Sequence, residues 1–318
     1  HNFAAGQNAL CSNWGGCYNN AIGTQVLCTN TTGEYNNAIG YIALHSNTTG
    51  GCNNAIGQAA LRYNTTGCLN NAIGRYALMN NTTGCYNNAI GCAALQNNTT
   101  GDNNFAGGSS TLKNNTTGDY NVAIGNATMN DNVVGSYNNA LGYLSLYAGT
   151  SGNRNNAFGH QALCGNTSGS DNVAIGTSSL KNNTTGNSNV GVGLNSLQNN
   201  TTGTYNNAIG YALKSNTEGD YNNAMGYQAL FDNTTGDYNT AIGNQALKGS
   251  LSGCHNFAAG QCALYSNWGG CHNTAIGYLG LCSNTTGGYN NAIGVCALRC
   301  NTTGYENTGI GYRTLYKN

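Results

Sequence analysis

A repeat of 17 residues runs through the 318-residue chain and limits its fold more than any other feature. The glycine of an Ala-Ile-Gly motif recurs 19 times, from Gly6 to Gly311, and 17 of the 18 intervals are 17 residues long. The remaining interval, from Gly210 to Gly226, is 16 residues. Such a unit is too short for the helix pairs of helical repeat proteins and too long for a coiled-coil heptad. The period therefore predicts an all-β, parallel β-solenoid (β-roll) of about 19 coils.

The typical unit reads AIG-xx-AL-xx-NTTG-x-YNN and predicts two short strands in each coil. One strand is expected around YNNAIG and the other around the Ala-Leu pair. Turns are expected at the lone glycine and at NTTG, because Gly and Asn tolerate the left-handed backbone of tight corners. We expect residues 1–318 to form a single continuous repeat domain. Because the chain opens within a repeat, we also expect it to be part of a longer chain or filament.

A covariation between repeats indicates which residues share a face. Where the residue two before the usual Ile becomes Phe, the Ile becomes Ala or Gly; the cases are Phe3 with Ala5, Phe105 with Gly107, and Phe257 with Ala259. Residues two apart on a strand face the same side, so a large side chain compensates a small one. We take this side to be the core. The usual pair, such as Asn37 and Ile39, is then predicted to point inward, with the amides hydrogen-bonding from coil to coil.

Two further positions repeat with little variation. The Leu of the Ala-Leu pair recurs from Leu10 to Leu315, with only Met129 in its place, and is predicted to form the other core stripe. The residue between the paired positions is always Ala or Gly, as in Ala55 and Gly191. If the Asn and Ile point inward, this small stripe faces outward and predicts a tight contact with another layer or subunit. The alternative is that Ala only suits a crowded bend.

The NTTG corner matches the N-glycosylation sequon. The candidate acceptors are Asn30, Asn47, Asn64, Asn81, Asn98, Asn115, Asn166, Asn183, Asn200, Asn233, Asn284 and Asn301. The same four residues also favour a tight turn without any glycan. Sequons about 4.8 Å apart leave little room for a glycan at every one. Both interpretations stay open at this point.

The chain contains 14 Cys, and a solenoid converts their sequence offsets into distances. Residues 17 apart lie on neighbouring coils at about 4.8 Å, which suits a disulfide. The candidate pairs are Cys11–Cys28, Cys68–Cys85 and Cys254–Cys271, and Cys282 with Cys300 lies one position off register. Disulfides would predict an oxidising, extracellular setting. The alternative is a set of reduced thiols.

Cys254-His255 and Cys271-His272 contain zinc-ligand residue types, but not at the spacing of a known zinc motif, so we predict no metal site and no cofactor.

Tyr dominates the position before the two Asn, which also accepts Arg154, Asp171 and Glu306. Tolerance of charge indicates that this position is exposed. We therefore predict an outer ladder of stacked rings, which either binds carbohydrate or a second fibre, or only stabilises the stack.

Composition and motifs argue against several classes of function. Charged residues make up 6% of the chain and the formal net charge is zero, so no basic surface for nucleic acid is expected. No apolar run approaches the roughly 20 residues of a membrane span. No nucleophile-base constellation or phosphate-binding loop is present, and we predict that the protein is not an enzyme.

The strings NNAIGYIALHSNTTG and NTAIGYLGLCSNTTG resemble the coils of trimeric autotransporter adhesin heads (YadA-like β-rolls) and related bacteriophage tail-fibre and surface-protein repeats. This resemblance covers essentially the whole chain. It implies a left-handed parallel β-roll, homotrimerisation and attachment to surfaces or receptors. The 17-residue coil and the Cys content depart from the adhesin pattern.

These observations predict a structural extracellular fibre or adhesin-like shaft at a cell or virion surface. Its expected partners are copies of itself and surface carbohydrate or a receptor. One alternative is a self-assembling, glycosylated filament or sheath. Another is an ice-binding or carbohydrate-binding solenoid, although adjacent Thr residues such as Thr31 and Thr32 do not share one flat face.

Overall fold

The computed structural model describes all residues from 1 to 318, and the chain divides into two compact units, His1–Ala157 and Phe158–Asn318. Both units are built from stacked coils, each with one three-residue strand and no helix. The predicted all-β parallel solenoid with a 17-residue repeat is therefore confirmed. The fold contains no helix of the length and apolarity that a membrane crossing requires.

The strands follow one another at the repeat interval. They are β1 Phe3–Ala5, β2 Asn20–Ile22, β3 Asn37–Ile39, β4 Asn54–Ile56, β5 Asn71–Ile73, β6 Asn88–Ile90, β7 Phe105–Gly107, β8 Val122–Ile124, β9 Asn139–Leu141, β10 Asn156–Phe158, β11 Val173–Ile175, β12 Val190–Val192, β13 Asn207–Ile209, β14 Asn223–Met225, β15 Thr240–Ile242, β16 Phe257–Ala259, β17 Thr274–Ile276, β18 Asn291–Ile293 and β19 Thr308–Ile310.

Within each unit, every strand pairs in parallel with the next strand along the chain. In the first unit Ala38 pairs with Ala55, an offset of one repeat. In the second unit Ala208 pairs with Ala224, because the intervening coil is one residue short. Equivalent residues therefore lie directly above one another in both units.

The prediction of a second strand at the Ala-Leu pair is wrong. In each coil this segment is a series of turns, as in residues 41–46. Ile42 and Leu44 have φ values of 51° and 49°, in the left-handed region that β-branched and bulky residues rarely occupy. Hydrogen bonds to the neighbouring coils hold this conformation: the Ile42 N–H donates to Thr24 O at 3.0 Å, and the Leu44 N–H donates to Ala60 O at 2.9 Å. Stacking replaces a regular strand here.

The interior of each coil is filled by Leu and Ala. Leu44, Ala43 and Ala38 are fully buried, and the same positions are buried in nearly every internal coil. The Leu stripe is thus confirmed as core. The predicted direction of the strand is wrong: Ala38 points inward, whereas Asn37 is half-buried and Ile39 is 36% exposed. The small stripe is accordingly not an outer contact surface.

Space inside the coil explains this orientation. A Cβ built on Gly191, which occupies the Ala position, would lie 2.5 Å from Ser179 Oγ and 3.4 Å from Cγ of Leu180 in the preceding coil. Ala38 and Ala43, which occupy the two equivalent positions in another coil, are both fully buried, so in that coil this part of the interior is filled by side chains no larger than a methyl group. The outward contact predicted for the small residues is therefore wrong, because these residues are buried inside the coil.

The glycine that ends each strand is required by both conformation and stacking. Gly40 has a φ of 136°, and a Cβ at this position would lie 2.5 Å from Gly57 O in the next coil. No side chain fits so close to a backbone oxygen. This explains why the glycine recurs without exception and marks the repeat so clearly.

Candidate functional site

Two columns of buried Asn side chains hold the coils together from inside. The entry ladder consists of the Asn before each strand, and Asn36 represents it. The Asn19 Oδ1 accepts from the Asn36 backbone N–H at 3.0 Å and from its Nδ2 at 3.1 Å. Asn36 Nδ2 also donates to Gly50 O at 2.9 Å, across the coil. Asn occupies this position in every coil, a signal that could have identified the ladder from sequence.

The corner ladder consists of the first Asn of each NTTG. Asn47 Nδ2 donates to Asn30 Oδ1 and to Gly50 O, both at 2.8 Å. The two ladders therefore meet at the carbonyl of Gly50. Since a buried polar group without a partner costs about 1–3 kcal/mol, each Asn satisfies groups that would otherwise destabilise the coil.

The threonines of NTTG complete the same corner. The N–H groups of Thr48, Thr49 and Gly50 donate to Thr65 O of the next coil at 3.0 to 3.2 Å. The Thr48 hydroxyl donates to the same oxygen at 3.0 Å. Four donors on one carbonyl make NTTG a stacking device. In the NTTG corners other than that of Asn301 the first Thr is half-buried and the second is exposed, as at Thr48 and Thr49, so these corners do not present both Thr side chains equally to solvent.

The corner ladder bears directly on the twelve predicted glycosylation sites. All twelve Asn side chains are 0–2% exposed. Their amide nitrogens are used as ladder donors, for example from Asn64 to Asn47 Oδ1 and to Gly67 O. A glycan would replace one of these N–H groups and has no space beside the amide. The folded coil therefore argues against N-glycosylation at these positions.

The residues that point outward from the strands form what we call the outer face, the first and third residue of each strand. No charged residue occurs among them. Ile90, Ile175 and Met225 are 43%, 43% and 49% exposed. The predicted amide ladder exists on this face: Asn37 Nδ2 donates to Asn54 Oδ1 at 2.9 Å, and Asn54 Nδ2 to Asn71 Oδ1 at 2.8 Å. Its position is outside the coil, not in the core.

The covariation between Phe and small residues is a contact on the outer face. A Cβ on Gly107 would lie 3.3 Å from Phe105 Cε1, so the Phe ring leans over the glycine. The large side chain fills the space that Ile occupies in neighbouring coils. The outer face thus keeps one large apolar side chain in this coil, although its position changes.

The candidate Cys pairs lie close together, as their register predicts. Cys11 and Cys28 form a disulfide, with a Cα–Cα distance of 5.0 Å. Cys68 and Cys85 are thiols with their Sγ atoms 2.9 Å apart. The hydrogen bond between the Cys68 thiol and Cys85, together with burial, raises the pKa of Cys68 to about 11.

The other predicted Cys pairs are thiols in this structure. The Cys254 N–H donates to Cys271 Sγ at 3.1 Å, and burial raises the pKa of Cys254. Cys282 and Cys300 are also free, and burial raises the pKa of Cys282. No group of three or more His, Cys, Asp or Glu side chains is arranged to hold a metal ion.

The predicted aromatic ladder is present in both units. Its longest stretch joins six rings, with centroids 4.7 to 4.9 Å apart and nearly parallel planes: Tyr205, Tyr221, Tyr238, His255, His272 and Tyr289. Each internal ring has both faces covered by its neighbours. A sugar has no free ring face on which to stack here, so the geometry favours a stabilising role for the ladder.

Comparison with known proteins adds no relative to this description. No protein family, no curated protein and no solved structure matches the chain. The structure is consistent with a β-roll repeat, and the likeness to adhesin heads and tail fibres rests on the short coil motif alone.

Proposed function

We propose that this chain is a structural, non-catalytic repeat protein of an extracellular fibre, and that copies of it associate through the outer face. The observation that carries this proposal is the continuous, charge-free and half-exposed apolar stripe on that face. Monomeric soluble proteins rarely expose a large contiguous apolar surface, and such surfaces mark contact sites.

Three properties of the outer face favour a second copy of the chain as its partner. The Ile side chains repeat at the strand spacing of about 4.8 Å, and another copy repeats at the same spacing. The Nδ2 groups of Asn37 and Asn54 on this face already donate to the next Asn along the stack, so these donors need no water, although Asn37 Oδ1 has no partner. The Phe105 ring lies beside Gly107, so the face keeps a large apolar side chain in the coil where the usual Ile is absent.

The location outside the cell is supported by the Cys11–Cys28 disulfide, since disulfides persist mainly in oxidising compartments. The absence of charge on the outer face also fits a permanent contact better than a transient one, because the buried centres of interfaces are depleted of charged residues.

Charged substitutions on the outer face test the proposal. Ile39→Lys with Ile73→Lys places two ammonium groups on the face, two coils apart, where burial of a charge is costly. We expect the unaltered chain to sediment as an oligomer or fibre, and this double variant to sediment as a monomer of unchanged fold. Sedimentation velocity and electron microscopy are the measurements.

Thr49→Lys with Thr83→Lys is the matched control. It adds the same charges with the same spacing on the exposed Thr corner, and should leave association intact. A monomeric unaltered chain, or equal association of both double variants, would contradict an interface on the outer face.

A further inference from the structure

The 16-residue coil departs from all others by one missing residue, just after its turn glycine. In a 17-residue coil such as the following one, Gln228 separates Tyr227 from the Ala-Leu pair and donates its N–H to Tyr211 O at 2.8 Å. In the short coil Tyr211 is followed directly by Ala212. The N–H that would bond to the Leu194 carbonyl is therefore missing from the chain.

The deletion also loosens the stack at its glycine. Gly210 has a φ of 96°, whereas Gly193 in the preceding coil has a φ of 131°. A Cβ on Gly210 would lie 3.4 Å from the next glycine oxygen, whereas one on Gly193 would lie 2.6 Å from it. The short coil therefore lacks one backbone hydrogen bond to the preceding coil, and its glycine stacks less closely on the next glycine.

The shortened turn brings Tyr211 against the column of side chains that follows the buried Leu. Its ring centroid lies 5.2 Å from that of Phe231, with the planes tilted by 44°, and 5.8 Å from that of Tyr227. Lys214 Nζ lies 5.6 Å from the Tyr211 centroid and 5.7 Å from the Phe231 centroid. We call these four residues the short-coil cluster.

The short-coil cluster differs from the aromatic ladder in two ways that suit a ligand. Tyr211 and Phe231 are half-buried with their planes tilted by 44°, whereas the ladder rings cover one another at interplanar angles of 10° or less. The ammonium of Lys214 contacts rings rather than a carboxylate, so its hydrogen-bond donors and charge remain available to an anion.

We propose that the short-coil cluster binds a carboxylate-bearing sugar, with the Tyr211 and Phe231 rings against the apolar face of the sugar and Lys214 paired with its carboxylate. An aromatic side chain offers an apolar surface with little conformational freedom to lose, and a charge-assisted hydrogen bond adds orientation. An uncharged sugar would make only the contact with the aromatic rings. A free inorganic anion would make only the contact with Lys214.

The test measures binding of tri-galacturonate to the whole chain by calorimetry or NMR titration, with its methyl-esterified form as the neutral counterpart. Lys214→Gln should weaken binding of the acid about tenfold, the value of one charge-assisted hydrogen bond, and leave the ester unchanged. Insertion of Gln between Tyr211 and Ala212 restores a 17-residue coil that reads like its neighbour. It should separate Tyr211 from Phe231 and abolish binding, with the coil stack intact by circular dichroism.

Three results would overturn the proposal: no binding to the unaltered chain, equal affinity for acid and ester, or unchanged binding after the Gln insertion. Lys214→Gln removes the charge of a half-buried side chain without changing the length of the coil, so it tests the site even if the insertion perturbs folding. Sedimentation of the same variants keeps this result separate from association through the outer face, which lies elsewhere on the coil.

Discussion

The corner ladder differs between two stretches of the chain, and the difference shows what the buried amides contribute. From Asn13 to Asn132 the ladder is unbroken, with each Nδ2 bonded to the preceding Oδ1 at 2.7 to 2.8 Å, and it ends at Gly149, which has no side chain. In the second unit Ser250 takes the place of one Asn. The hydroxyl of Ser250 and the Oδ1 of Asn233 are then buried without a hydrogen-bond partner. One shorter side chain leaves two polar groups unsatisfied.

The outer face provides a second contrast with the same side chain. Asn37, Asn54 and Asn71 form a ladder of similar distances, yet Val, Thr or Phe replaces Asn at this position in other coils. Water can satisfy a half-exposed group, but not a buried one. The same amide is therefore replaceable outside the coil and nearly obligatory inside it.

Asn64→Ser would copy the interruption into the unbroken ladder and should have the largest effect. It leaves Asn47 Oδ1 and the new hydroxyl buried without partners, which we expect to lower the free energy of unfolding by about 3 kcal/mol. Denaturant unfolding followed by circular dichroism is the measurement.

Asn54→Thr is the control for that substitution. It removes an amide from the outer ladder in the adjoining stretch of chain, and cross-strand pairs of this kind contribute only about 0.2–1 kcal/mol. Equal destabilisation by the two variants would show that the contrast between buried and exposed ladders is wrong.

Cys68 and Cys85 offer a covalent link between two coils of the unbroken region. With a Sγ–Sγ distance of 2.9 Å, reaction with oxidised glutathione should join them, releasing two glutathione molecules as both electrons and protons leave the thiols. Closing a loop of this size should raise the free energy of unfolding by about 3 kcal/mol. If the disulfide also restores the free energy of unfolding that Asn64→Ser removes, a covalent link between coils can replace the hydrogen bonds of the buried amides.

The pH dependence of this oxidation follows from the pKa of Cys68. A pKa raised to about 11 leaves little thiolate at neutral pH, so attack by Cys68 should accelerate as the pH rises toward that value. Mass spectrometry of the intact chain measures the loss of two hydrogen atoms that accompanies formation of the disulfide. Cys85→Ser should prevent the link and Cys92→Ser, at an exposed thiol, should not; the opposite pattern would refute this pairing.

The stack and its register were predictable from sequence because they depend on a period. The recurring Gly, Leu and NTTG positions fix which residues lie above one another, and the closeness of Cys11 and Cys28 follows from that offset; the same offset leaves Cys68 and Cys85 as thiols, so it does not predict which pairs are oxidised. The shared side of Phe105 and Gly107 was also readable, since alternation along a strand is a local property.

The direction of that side was not predictable from the same pattern. Ile is more apolar than Ala, so hydrophobicity placed Ile39 inside. The structure places Ala38 there because left-handed Leu residues fill the coil and leave room only for a methyl group. Left-handed Leu contradicts ordinary backbone preferences and is stabilised by hydrogen bonds from neighbouring coils, which no local rule anticipates.

Ser250→Asn is the reverse of the Asn64→Ser substitution, because it restores the missing Asn of the corner ladder in the second unit. The new amide would donate to Asn233 Oδ1 and accept from Asn267 Nδ2, which now donates only to Gly270 O. We expect a gain of about 2 kcal/mol, since two buried groups acquire partners. Amide hydrogen exchange measures this gain locally: the N–H groups of Thr234 and Thr235, which bond to Leu251 O, should exchange roughly 30-fold more slowly.

Ser250→Ala is the control. It removes the hydroxyl without supplying an amide and should recover less than half of this gain, because Asn233 Oδ1 stays unpaired. If alanine stabilises the unit as much as asparagine does, the cost at this coil comes from the serine hydroxyl alone, and the ladder contributes nothing beyond it.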